Sequence, residues 1–175
     1  MEELEKKDEK IVDCTISETA TFRVKVSLDV SKKRPVPIIG PVSPDMQDKI
    51  REIWADFYFQ TYGIEGKIHS ESITIQTVFD PESKMINNQR MIDLNKLEEN
   101  RLKYLLKDWN LTGQGGKKIE LKREVDITQK TNGWLTSESL NTVLRVNPPI
   151  LRVIMNKASM VWDKVKHNVG YYVSV

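Results

Sequence analysis

"TFRVKVSLDV", Thr21 to Val30, reads with a period of two. Phe22, Val24, Val26, Leu28 and Val30 alternate with Arg23, Lys25, Ser27 and Asp29. Successive strand side chains point to opposite faces, so this segment has one face to bury and one to wet. One-sided burial of that kind belongs to an antiparallel sheet. Upstream, Val12, Cys14 and Ile16 alternate with Asp13, Thr15 and Ser17. A hairpin through residues 17–21 is therefore expected, although its turn has no glycine. Residues 1–10, "MEELEKKDEK", are charged and are expected to form a flexible leader.

Downstream, "RPVPIIGPVSP" places prolines at 35, 37, 41 and 44 and reads as an extended connector. Ser43 followed by Pro44 is a helix start, with a capping hydroxyl and proline in the first turn. Met46, Ile50, Ile53, Trp54 and Phe57 continue at helical spacing, and Gly63 is the expected stop. Tyr58, Phe59 and Tyr62 widen that apolar arc, either as added core or as a partner surface. "SESITIQTVFDP" predicts a strand with Ile73, Ile75, Thr77 and Phe79 on one side, ended by Asp80–Pro81.

Three helices follow. "DLNKLEENRLKYLLKDW" is capped by Asp93 and buries Leu94, Leu97, Leu102, Leu105, Leu106 and Trp109. Thr136 caps the next, with Leu135 and Leu140 at the staple positions. Asn147 caps the last, with Pro148 in its first turn. On its wheel Ile150, Leu151, Ile154, Met155, Ala158, Val161, Trp162 and Val165 make an arc wider than the roughly 100° of a surface helix. Val153 and Met160 lie outside even that arc. The helix is either central in the fold or keeps apolar surface for a partner. "GYYVSV", residues 171–175 with Gly170, is a further edge-strand candidate. The expected class is α+β: a small antiparallel sheet, from the N-terminal hairpin and the Ile73 strand, packed against about four helices. A strand-rich part, 11–90, and a mainly helical part, 91–175, are expected to form one compact domain.

A chain of 175 residues can bury a real core. With 30% charged and 39% hydrophobic residues it is neither a disordered tail nor a membrane protein. No apolar run reaches the length of a membrane span, and the charged N-terminus is the reverse of a signal peptide. A single cysteine excludes an internal disulfide, so a cytosolic compartment is expected. A net charge of +2 with interspersed acids speaks against nucleic acid, and Lys32 to Arg34 read as a solvated loop.

"GQGGKK", Gly113 to Lys118, invites a phosphate-loop reading and fails it. Gly116–Lys117 is followed by Lys118 where serine or threonine belongs, and Leu111 stands where the first glycine belongs. The segment also follows a helix rather than a strand, so it is a turn whose glycines supply positive φ. His69 and His167 are not at metal-binding spacing. A Cys14–His dyad is disfavoured because Cys14 sits on the apolar side of a predicted strand. Carboxylate pairs such as Glu98–Glu99 and Asp45–Asp48 read as solvated faces. No catalytic residue, cofactor or metal is expected. Of Trp54, Trp109, Trp134 and Trp162, Trp134 is least explained by a periodic core face. It is a candidate interface anchor or a core residue.

"LLKDWNLT", the "GQGGKK" turn and "WLTSESLNTVLRVNPPILRVIMNKA" together resemble tail assembly chaperones and related small tail-module proteins of tailed phages and prophages. The resemblance runs from Met91 to Ala158 and is carried by fold-determining residues. It departs in two places: Gly113 and Gln114 stand where the family turn is acidic, and "KREVDITQKTNG" reads as an insertion. The resemblance implies a non-enzymatic protein that binds a long, helical tape-measure partner and keeps it soluble while the tail tube polymerises. The resemblance further implies that it acts in the host cytoplasm. Partner contacts are then expected at Trp134, Val153, Met155, Met160 and Trp162, in a helix-in-groove mode. The alternative is a structural tail or neck (head–tail connector) component that self-assembles and stays in the virion.

Overall fold

The computed structural model describes residues 20–113, 116–125 and 132–169, with side chains as far as Val165. Strand β1, Thr21–Asp29, is the segment whose alternation was read above. It pairs antiparallel along its whole length with β3, Ile50–Tyr58, from Thr21 opposite Tyr58 to Asp29 opposite Ile50. The two-residue β2, Val36–Pro37, lines the outer edge of β1. Val24, Val26 and Leu28 of β1 share the buried face with Ile53, Ala55 and Phe57 of β3. On the wet face Arg23 grips Asp56 with two bonds of 2.7 and 2.8 Å and lies 3.9 Å over the Trp54 ring. The expected first strand of the hairpin, Ile11 to Ser17, and the "GYYVSV" strand lie outside the described residues.

β3 corrects the sequence reading, which had a helix through Ile50, Ile53, Trp54 and Phe57. Ser43–Pro44 opens only a 3-10 turn, Pro44–Lys49, and Ser43 makes no capping bond. The chain then becomes extended, because Ile53, Ala55 and Phe57 also satisfy a period of two. Pairing with β1 along nine residues decides between the two periods. Gly63 does not stop a helix either: it is near the start of α1, Tyr62–Glu71.

Helix α2, Leu94–Leu105, begins as expected, with the Asp93 carboxylate accepting from the amides of Asn95 and Lys96. It ends one turn earlier than expected. Leu106–Trp109 forms β6, which closes the sheet beside β3 in the order β2-β1-β3-β6. Leu106 and Trp109 are fully buried, as strand residues rather than helical ones. A short ladder follows between β7, Arg123–Glu124, and β8, Trp134–Leu135. Thr136 then caps α3, Ser137–Leu144, by accepting from the Ser139 amide.

Helix α4, Pro148–Val169, packs on the inner face of the sheet. Ile150, Ile154, Met155, Ala158 and Trp162 are all buried there. The Trp162 ring meets Phe57 and Phe22 edge-on, at 5.5 and 5.9 Å, and its indole N–H donates to the Tyr58 carbonyl. Lys157 donates to the Lys25 carbonyl and Asn147 to that of Pro35, pinning the helix to β1 and the β1–β2 loop. The wide apolar arc is thus used by the core: α4 is central. The architecture is α+β, a four-stranded antiparallel sheet with helices on its inner face. The Ile73 strand does not join that sheet. It is β4, Ile73–Asp80, and it pairs with a strand the sequence reading missed, β5, Met85–Ile92.

Candidate protein-binding surface

The five residues singled out from the sequence are scattered by the fold. Met155 and Trp162 are 5% and 2% exposed and belong to the core, so as folded they offer no surface. Val153 is half-buried against that core. Met160 is exposed, but it stands on a polar face of α4, with Asn156, Lys157, Asp163 and Lys164 exposed around it. Trp134 is half-buried at the start of β8, with its N–H on Glu124 and the Lys67 ammonium 5.1 Å from its ring centroid. These positions do not form one patch.

Among the described residues, the β4–β5 ribbon carries a large uncovered apolar surface. Directly opposite residues of an antiparallel pair share a face. The register therefore puts Ile73, Ile75, Thr77 and Phe79 on one face with Ile92, Arg90, Asn88 and Ile86. Thr74, Gln76, Val78 and Asp80 share the other with Met91, Gln89, Asn87 and Met85. The first face is the dry one by chemistry, yet it is wet in this structure. Ile75 is 68% exposed, Phe79 60% and Ile86 71%. Every residue of β5 is exposed, so the ribbon stands off the body. Its eight-residue strands give it a length of about 27 Å.

The ribbon is fixed at both ends. At the root the Asp93 amide donates to the Ser72 carbonyl. Ser72 is fully buried; its hydroxyl donates to Ile68 and accepts from the Asn100 amide. At the tip the Asp80 carboxylate accepts from the Ser83 hydroxyl and the Glu82 amide, which holds its pKa below the ordinary value. Lys84 takes the positive φ of 55° that completes the turn. The sequence signal for this arm was present: "DPESK" is a turn between two runs. However, "MINNQRMI" is too polar to read as a core strand.

The Arg123 guanidinium donates to the carbonyls of Tyr104, Leu106, Asn132 and Gly133 and lies 5.0 Å from the Tyr58 ring. Its burial lowers its pKa from the ordinary value. At the glycine-rich loop, of which Gln114 and Gly115 lie outside the described residues, Gly116 has φ +74° and Thr112 bridges Lys118. His69 lies on α1, 3.8 Å from Glu65. Among the described residues no group of His, Cys, Asp and Glu could hold a metal ion, and no helix is long and apolar enough to cross a membrane. Cys14 and the His167 side chain lie outside the described residues.

In comparisons with family models, curated proteins and solved structures, nothing matches the chain.

Proposed function

We propose that this protein is a non-catalytic, protein-binding assembly factor of the tail-assembly-chaperone type, which uses the β4–β5 ribbon as its adhesive arm. The observation that carries this reading is the uncovered apolar face of a rigidly rooted ribbon. A two-stranded hairpin is marginal in water by itself, and among the described residues this one packs mainly on its own partner strand. Five large hydrophobic side chains on one face, Ile73, Ile75, Phe79, Ile86 and Ile92, are each at least 42% exposed. They form two exposed apolar groups, Ile73, Ile75 and Ile92 at the root and Phe79 and Ile86 at the tip, with Arg90 and the Thr77–Asn88 rung between them, and exposed apolar surface of this kind marks an interaction site. The resemblance from Met91 to Ala158 supplies the biological setting. The contact surface expected there on α4 moves to the ribbon, because α4 is occupied by the core.

A second reading is favoured by the ribbon's edges. Among the described residues β4 and β5 pair only with each other, and neither carries proline or a bulge to guard its free edge. Strand addition to a neighbouring subunit would then make this a structural tail or neck component. Co-expression with the proteins encoded beside it, followed by capture of a long helical partner, tests the first reading. Capture is expected with the wild type and lost with Ile75→Asp/Phe79→Asp. Purified particles separate the two readings: a chaperone is absent from them, and a structural component is present in stoichiometric copies.

A further inference from the structure

The dry face of the ribbon carries a single charged residue, and it is a cation. Arg90 stands opposite Ile75, between Asn88 and Ile92 along its own face. Among the described residues it has no carboxylate partner within ion-pair distance. The face has no acid of its own; Asp80 belongs to the other face and is held by Ser83. Whatever covers the face must therefore bring a carboxylate or bury an unpaired guanidinium, which is strongly unfavourable.

That requirement speaks against a second copy of this chain. Two ribbons packed face to face would enclose two Arg90 side chains and no acid in one apolar layer. Strand addition at an edge would leave the face as wet as before. The dimensions favour a helix. Two strands spaced about 4.8 Å apart present a face about 10 Å wide, which is the diameter of one α-helix. The length of about 27 Å matches roughly 18 helical residues at 1.5 Å each. We propose that the occupant is a single amphipathic α-helix of about five turns, lying along the ribbon and setting one carboxylate of its apolar stripe against Arg90. This deepens the protein-binding reading above and rests on it.

The probe is a designed, labelled, leucine-faced helical peptide of about 18 residues with one glutamate in the middle of its stripe. Its control carries lysine at that position. Binding to the full-length protein is followed by fluorescence anisotropy. The glutamate peptide is expected to bind about tenfold more tightly than the lysine peptide. Arg90→Glu should reverse that order, and Ile75→Asp/Phe79→Asp should abolish both, with circular dichroism confirming that the variants are folded. Equal affinities, or an order unchanged by Arg90→Glu, would overturn the proposal. So would photo-crosslinks from position 79 that join the ribbon to a second copy, or to residues 1–19 of the same chain, in place of the peptide. The outcomes also separate this proposal from the reading beneath it. Capture of the tail protein through the ribbon without a charge preference sinks the helix–Arg90 contact alone. A charge preference without tail-protein capture sinks the chaperone setting alone.

Discussion

Gly133 lies against the carbonyl of Glu124 so closely that a Cβ on it would stand 1.7 Å from that oxygen. Its φ of +66° is also one that residues with a side chain rarely adopt. The contact lies at the β7–β8 ladder, where Glu124 and Trp134 are opposite one another. Gly133→Ala is therefore expected to destabilise the fold by about 3 kcal/mol, combining left-handed strain with overpacking. Urea unfolding measures it, and a loss below about 1 kcal/mol would show that the ladder shifts freely.

Arg123 completes the same junction. Its guanidinium serves four backbone carbonyls, of Tyr104, Leu106, Asn132 and Gly133, where α2 passes into β6 and where β8 begins. A planar fork can address several acceptors at fixed angles, and an ammonium cannot. Arg123→Ala is expected to cost about 3 kcal/mol, and Arg123→Lys to recover less than half of it. Equal stability of the lysine variant and the wild type would show that charge alone is required there.

Stability should depend on pH through Glu71, Lys103 and Tyr104. Burial pushes the Glu71 carboxyl up, but the bonds from Tyr104 Oη at 2.5 Å and Lys103 Nζ at 2.9 Å outweigh it, and the net shift is downward. A lowered carboxylate pKa contributes stability that is full above the unfolded-state value, about 4.3, and is lost as pH falls through the folded value. Burial lowers Lys103 while Glu71 raises it, for a net rise; burial and then Glu71 raise Tyr104. Their contributions are full below about pH 10 and are lost as pH rises through the folded values. Thermal melts of the wild type and Glu71→Gln should differ by a constant amount from about pH 5 to 9 and converge below about pH 4. A difference that persists unchanged into acid would show that the Glu71 charge does not matter.

The sequence made much of this fold legible, for local reasons. β1 alternates without exception, and the capping roles of Asp93 and Thr136 are written in adjacent residues. β3 was not legible, because Ile50, Ile53, Trp54 and Phe57 fit a helical spacing as well as a strand, and only pairing with β1 separates them. Helix α4 showed an excess of apolar surface, but its use depended on whether a sheet covered it. Trp162 against Phe57 and Phe22 answers that question, and no pattern within α4 contains the answer. The ribbon was half legible. Ile73 to Phe79 read as a strand, while the Asn- and Gln-rich β5 hid both its own existence and the exposure of the pair.

The ribbon and α4 make opposite claims on stability and binding, and paired substitutions separate them. Phe79 and Ile75 are 60% and 68% exposed, so Ile75→Asp/Phe79→Asp should change the unfolding free energy by less than about 0.5 kcal/mol. The same variant should be more soluble, because it removes an apolar patch, and should lose partner capture. Met160→Asp should likewise leave stability unchanged, as its side chain is 60% exposed, but should keep partner capture. Val153 packs against the core, so Val153→Asp should cost about 2 kcal/mol by burying an unpaired carboxylate in part. Any loss of binding in that variant should therefore follow its loss of folded protein. If folded Val153→Asp/Met160→Asp loses the partner while Ile75→Asp/Phe79→Asp retains it, the adhesive surface is on α4 after all, and the ribbon needs another explanation.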